Sequence, residues 1–386
     1  MWIYILTFLL AIVIDFLPSK SGFVARKLLM LWLYVFLCFG YTVGTDWRNY
    51  EDLYNLATTD ELLNRLYEHG FYYLVYISRK LSPDFWLFVG IMKCIYLYVV
   101  IRFIRRFTNK IFIVVAILLN YNLLFMLVDN PLRFMTASII LVYSIDAIIL
   151  KKYKRLLFLG IIASFFHIAI LFSFLVVFSI RYFKNIIYWS TGKLVYLYVG
   201  FCLLGALPNF LNSFSSFIAS YVPFLATKLE NTYYVSSIDP MFTIGSLIMV
   251  LMFILVIKYR SIILSSYHGD ILFYYTLVYL YLFRLLIIVP TGFRINVFFS
   301  IFFVISIVII ISYTKSLLRL GVFVLLIITI SKSIWESYQY LPYTNSIYYI
   351  FTQDHLPRSY RENLNKDEYY QRTGKHVEEK KFKLKN

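Results

Sequence analysis

Residues 295–313 read Ile-Asn-Val-Phe-Phe-Ser-Ile-Phe-Phe-Val-Ile-Ser-Ile-Val-Ile-Ile-Ile-Ser-Tyr, a run without a charged side chain. An α-helix rises about 1.5 Å per residue and the hydrocarbon core of a bilayer is about 30 Å thick, so a run of this length spans it. A surface helix of a soluble protein carries a polar stripe, and this run has none. Working outward, comparable runs lie at 2–17, 27–44, 85–103, 111–128, 134–150, 193–211, 241–257, 271–289 and 317–334. The fold class is therefore all-α and polytopic, with about ten transmembrane helices.

Composition agrees. Of 386 residues, 61% are hydrophobic, 20% aromatic and only 15% charged, against about 25% charged in a soluble domain. Intrinsic disorder and a disulfide-stapled secreted scaffold are both excluded. Cys38, Cys94 and Cys202 all sit in apolar runs and read as small buried hydrophobes, without metal-ligand spacing. The first run, from Trp2 to Phe16, lacks a basic start and a small-residue cleavage site, so it reads as a retained helix. A net charge of +17 would suggest nucleic acid in a soluble chain. Here it reads as the cytoplasmic bias of short membrane loops, and no nucleic-acid partner is expected.

The stretch 156–180 is apolar but interrupted by His167. If it does not cross once and the N-terminus faces outward, the inner loops carry eighteen Lys and Arg and the outer loops seven. If it crosses as one span, everything after it flips and the split becomes thirteen against twelve. The positive-inside rule selects the first arrangement. A broken or re-entrant element is thus expected near 156–180, and irregular backbone at membrane depth lines a cavity. The polar stretches 45–84 and 212–240 become periplasmic loops. Residues 1–350 form one membrane domain, and 351–386, with Arg358, Lys366, Glu378 and Lys385, read as a charged, mobile tail.

Ionisable side chains at membrane depth are functional candidates. Arg133 and Arg294 stand at outer helix starts, on the same face as Asp46; the bland alternative is snorkelling to headgroups. Arg284 lies inside its helix, about 9 Å below the outer end. Several arginines on one cavity face suit a phosphate-bearing ligand, because the guanidinium fork matches phosphate oxygens. His167 is either a satisfied core group or part of that site, and Lys93 reads as structural or snorkelling. The run Asp46, Trp47, Arg48, Tyr50, Glu51, Asp52, Tyr54 mixes charges and rings. That mixture suits a sugar, and equally a solvated amphipathic surface helix. No H-E-x-x-H, P-loop, G-x-S-x-G or dinucleotide fingerprint is present, which removes support from an ATP-driven machine and a membrane metalloprotease.

The run Val43-Gly44-Thr45-Asp46-Trp47-Arg48-Asn49-Tyr50-Glu51-Asp52-Leu53-Tyr54 resembles the G-x-D-x-x-x-Y-x-x-x-Y signature of EpsG-type (Wzy-like) polysaccharide polymerases. Glu68-His69-Gly70-Phe71, Leu132-Arg133-Phe134-Met135-Thr136-Ala137 and Ala163-Ser164-Phe165-Phe166-His167-Ile168-Ala169 are similar to further family motifs, in the expected order. Arg294 with Asn296 and Phe298, and Leu341-Pro342-Tyr343, fit more loosely. The sequence departs from the pattern at Phe134, where the family has Gln, and at Phe298, where it has Tyr.

The resemblance implies a glycosyltransferase of the bacterial inner (cytoplasmic) membrane, active at the periplasmic face. It would join undecaprenyl-pyrophosphate-linked oligosaccharide repeats into O-antigen, capsule or exopolysaccharide. Its partners are then the lipid-linked oligosaccharide, the bilayer, and a chain-length regulator and flippase of the same pathway. Neither metal nor cofactor is expected. Asp46 and His167 become the catalytic candidates, Arg133, Arg284 and Arg294 the pyrophosphate site, and Trp47, Arg48, Tyr50, Tyr54 and Glu68 the acceptor-sugar contacts. The alternatives are another lipid-linked glycosyltransferase such as an O-antigen ligase, or a flippase or transporter, whose repeated halves are not evident here.

Overall fold

The computed structural model describes residues 2–17, 22–41, 43–44, 46–56, 68–82, 84–129, 131–205, 244–287, 292–314 and 340–373, with scattered positions between 321 and 335. Loop 212–240, most of the run at 317–334 and residues 374–386 lie outside the described residues. In chain order the helices are α1 (Trp2–Phe16), α2 (Phe23–Cys38), α3 (Trp47–Leu56), α4 (His69–Leu81), α5 (Phe85–Ile104), α6 (Ile111–Leu118, continuing as a π-helix over Leu119–Val128), α7 (Leu132–Ile149), α8 (Tyr153–Phe166) and α9 (Ile170–Phe178, extended by short turns to Tyr188). They continue with α10 (Thr191–Gly205), α11 (Ile244–Lys258), α12 (Arg260–Ser265), α13 (Gly269–Ile287), α14 (Gly292–Tyr313), α15 (Ile347–Thr352) and α16 (Arg358–Thr373). There is no strand among the described residues.

Five helices among the described residues are long and apolar enough to cross a membrane: Phe85–Ile104, Ile111–Val128, Leu132–Ile149, Ile170–Tyr188 and Arg294–Tyr313. The shorter apolar helices Trp2–Asp15, Thr191–Leu204, Gly245–Lys258 and Gly269–Phe283 fall on other expected runs. The helical membrane class therefore stands, and these five are the full-length spans found among the described residues. In a bilayer apolar surface alone does not hold helices together, and polar side chains add specificity. Thr276 on α13 shares its hydroxyl with Ser306 Oγ (2.8 Å) and donates to Phe302 O (3.2 Å) on α14. Asn122, in the π-helical part of α6, accepts from Tyr96 on α5 (2.8 Å) and donates to Val297 O on α14 (2.8 Å). Lys93 is fully buried beside Cys38 and Cys94, so it does not snorkel.

The element at 156–180 is a hairpin. Helix α8 ends at His167, which takes an extended backbone (φ −159°, ψ 117°), and the chain reverses into α9. A Cβ on Gly160 would sit 2.8 Å from the Phe174 ring, and Tyr153 meets Phe178 edge-on, so the two arms pack antiparallel. The chain thus returns towards the side it came from, as the positive-inside count requires. Neither Gly nor Pro marks the break in sequence.

The C-terminal segment departs from expectation. Rather than a mobile tail, α16 is docked on α3, with Arg361 and Asn365 buried. Two acidic residues of α3 hold it, Glu51 through Arg361 and Asp52 through Arg358. Residues 340–373 must therefore lie on the same side of the membrane as residues 46–56. Topology reporters fused after Tyr54 and after Thr373 are expected to give the same readout, and fusions after Lys152 and Lys258 the opposite one. Opposite signals at Tyr54 and Thr373 would show that α16 cannot dock there.

Candidate functional site

The site begins with a glycine. Gly70, in the first turn of α4, faces the end of α8 so closely that a Cβ there would lie 3.1 Å from both Phe165 Cβ and the Phe165 carbonyl oxygen. That approach brings the preceding Glu68 to the α8–α9 turn. Glu68 adopts the left-handed backbone conformation (φ 63°, ψ 31°), which a non-glycine residue occupies at a cost and which clusters at functional sites. Its side chain is 0% exposed.

Glu68 is the hub. Oε1 faces His167 Nδ1 at 2.7 Å and accepts from the Ile168 amide at 3.3 Å, an N–H freed where the helix breaks. Oε2 accepts from Arg133 Nη1 at 2.6 Å. Arg133, in the first turn of α7, also aims Nε at the Tyr50 hydroxyl (3.4 Å). Two fixed bonds orient the guanidinium and leave Nη2 for a ligand. On the neutral imidazole, Nδ1 holds the proton toward the carboxylate and Nε2 is the acceptor. His167 Nε2 is buried and has no hydrogen-bond partner among the described residues. Such an atom costs free energy unless something binds there.

Asp46 joins from the other side. Its amide donates to Asp129 O (3.4 Å), at the end of the π-helical stretch. Burial, with the neighbouring Asp129 carboxylate, pushes the Asp46 carboxyl up to about 6, against the opposing pull of Arg294 and Arg133. Arg294, in the first turn of α14, acts electrostatically on both Asp46 and His167. Arg294 makes no salt bridge among the described residues. The floor is the buried Glu68–His167 pair, and the partly exposed Asp46, Arg133 and Arg294 form its rim. Two helix N-termini, those of α7 and α14, add positive potential.

The structure thus gathers Asp46, Tyr50, Glu68, Arg133, His167 and Arg294. The Arg284 side chain lies outside the described residues, although α13 carries its backbone. Trp47, Arg48 and Tyr54 are not part of the cluster. Trp47 is 0% exposed and packs on Trp86, and Tyr54 is buried with its hydroxyl donating to Ser82 O (2.7 Å), so neither ring offers a face to a sugar. Arg48 pairs with Glu362 on α16 at 3.4 Å. The helical period separates the two sets: Asp46 and Tyr50 lie four residues apart on one stripe, while Trp47, Glu51 and Tyr54 occupy the next. Asp129 was missed as a member, because only the fold brings it to Asp46. Among the described residues no group of three His, Cys, Asp or Glu side chains is placed to hold a metal ion.

Comparison with known proteins gives a family. No curated protein and no solved structure matches the chain significantly. The EpsG family matches over residues 24–345, a stretch that holds every member of the cluster. The chain therefore belongs to the EpsG family, membrane proteins of the polysaccharide-polymerase kind.

Proposed function

We propose that the chain polymerises undecaprenyl-pyrophosphate-linked oligosaccharide repeats into surface polysaccharide, by glycosyl transfer at the periplasmic face of the cytoplasmic membrane. The observation that carries this reading is the juxtaposition of Asp46 with Arg133 and Arg294 above the Glu68–His167 pair. It puts a carboxylate of raised pKa beside cationic groups that suit a diphosphate.

In this mechanism Arg133 and Arg294, with Arg284 as a further contributor, bind the pyrophosphate of the growing chain and stabilise the charge that develops as it leaves. Asp46 takes the proton from the acceptor sugar hydroxyl as that oxygen bonds to the anomeric carbon. His167 Nε2 accepts a hydrogen bond from the bound substrate, and Glu68 fixes the ring that offers it. Tyr50 orients Arg133 rather than touching the sugar directly. Catalysis proceeds without a metal, the arginines taking the electrostatic role.

Deletion of the gene separates this reading from its rivals. Surface polysaccharide capped at a single repeat is the expected outcome. Long chains left unattached would point to a ligase, and loss of lipid-linked repeats from the outer leaflet to a flippase.

A further inference from the structure

Helix α16 lies beyond residue 345, where the family match ends, yet it grips the helix that carries Tyr50 and follows Asp46. Arg361 is 4% exposed. Its Nη2 donates to Glu51 Oε1 (2.8 Å) and Oε2 (3.1 Å), and its Nε to Leu356 O (2.9 Å). The guanidinium lies over the rings of Trp47 (4.7 Å), Tyr41 (5.3 Å) and Trp86 (5.6 Å), an aromatic box closed by one carboxylate. Around it, Arg358 pairs with Asp52 and Glu362, and Glu362 with Arg48. The segment before α16 is fastened as well. His355 Nε2 lies 3.1 Å from Asp84 Oδ2, while Asp84 Oδ1 caps α5 through the Trp86 and Leu87 amides.

We propose that α16 is a working part of the site, with Arg361 a positioning residue that holds α3 so that Asp46 and Tyr50 face Arg133. The inference rests on the polymerase reading above. Helix α3 has ten residues, too few to be stable alone in water. Its position depends on what packs against its Trp47–Glu51–Tyr54 stripe. Removing Arg361 leaves Glu51 buried without its cation, which drives that stripe towards water. Asp46 and Tyr50, on the adjoining stripe, would turn away from Arg133 with it.

The test uses the full chain in membranes. Arg361→Ala is expected to lower polymerisation per membrane-resident copy at least tenfold. It also moves the acid limb of the pH profile, because Asp46 leaves the company of Asp129, Arg133 and Arg294. A mere loss of folded copies would scale the profile without moving it. Hydrogen exchange is expected to rise over residues 46–56 and not over 294–313. In Asp52→Cys/Arg358→Cys, a short bis-maleimide that joins the two cysteines should restore at least half the rate to Arg361→Ala, judged against the single-cysteine chains. Full activity in Arg361→Ala overturns the proposal. So does silencing of the otherwise native chain by the tether, since a docked α16 would then block the site. If Arg361→Ala fails to reach the membrane, Glu51→Gln decides: unchanged rate and unchanged exchange over 46–56 overturn it. Exchange needs no substrate. If deletion of the gene leaves the polymer unaltered, the polymerase reading falls, while exchange still decides whether α16 holds α3.

Discussion

Arg133→Lys and Arg294→Lys are each expected to cut polymerisation on the order of 100-fold, the scale of losing one donor to a developing anion, with the protein still inserted in the membrane. Both changes keep the charge. What they lose is the planar fork, which can hold two oxygens of one phosphate, whereas an ammonium acts as a point charge. At Arg133 the loss is compounded. The guanidinium bonds Glu68 Oε2 through Nη1 and Tyr50 through Nε while Nη2 remains for a ligand, a set of directions that a lysine cannot reproduce. Glu68 forms an ion pair with Arg133. Arg294 makes no salt bridge among the described residues and acts on Asp46 only through space, so an anionic ligand would be its first direct ionic partner there. Polymer length distributions and quantified membrane protein check the prediction. Unchanged lengths in both variants would reduce these side chains to helix-end anchors.

The sequence made the membrane class plain because it rests on composition and on runs such as 295–313, which report helix and lipid exposure together. The reversal at His167 was legible only indirectly, through the charge balance of loops far from it. Its cause was not, since the break depends on Glu68 accepting the freed Ile168 amide a hundred positions away. The arginine cluster was legible because topology puts Arg133 and Arg294 on one face. Trp47, Arg48 and Tyr54 pack away from the cluster for a periodic reason. A stretch rich in aromatics and charges looks the same whether it meets a sugar or a second helix, and α16 was read as a mobile tail. Its mean composition is polar, but Arg358 and Arg361 match the acidic residues of α3 one to one, a complementarity visible only once both helices are placed.

Asp46→Asn is expected to abolish polymer formation and, at neutral pH, to stabilise the folded protein. The two effects share a cause. Burial and Asp129 raise the carboxyl to about 6, whereas in an unfolded chain it titrates near ~4. The folded state therefore binds the proton more tightly. Stability from this group is fully present below about pH 4 and is lost as pH rises through about 6, so the ionised form is a cost at pH 7. Asparagine removes that cost and retains the shape. For catalysis the same shift is useful, since a base with a pKa of about 6 is largely ionised at pH 7 and yet stronger than an ordinary aspartate. The rate of the native chain should accordingly fall as pH drops through about 6. The measurements are polymerisation rate against pH and thermal unfolding in detergent, for native and Asp46→Asn protein. Polymer of native length from Asp46→Asn would remove Asp46 from the reaction, and a lower unfolding temperature at pH 7 would show that its charge holds the fold rather than strains it.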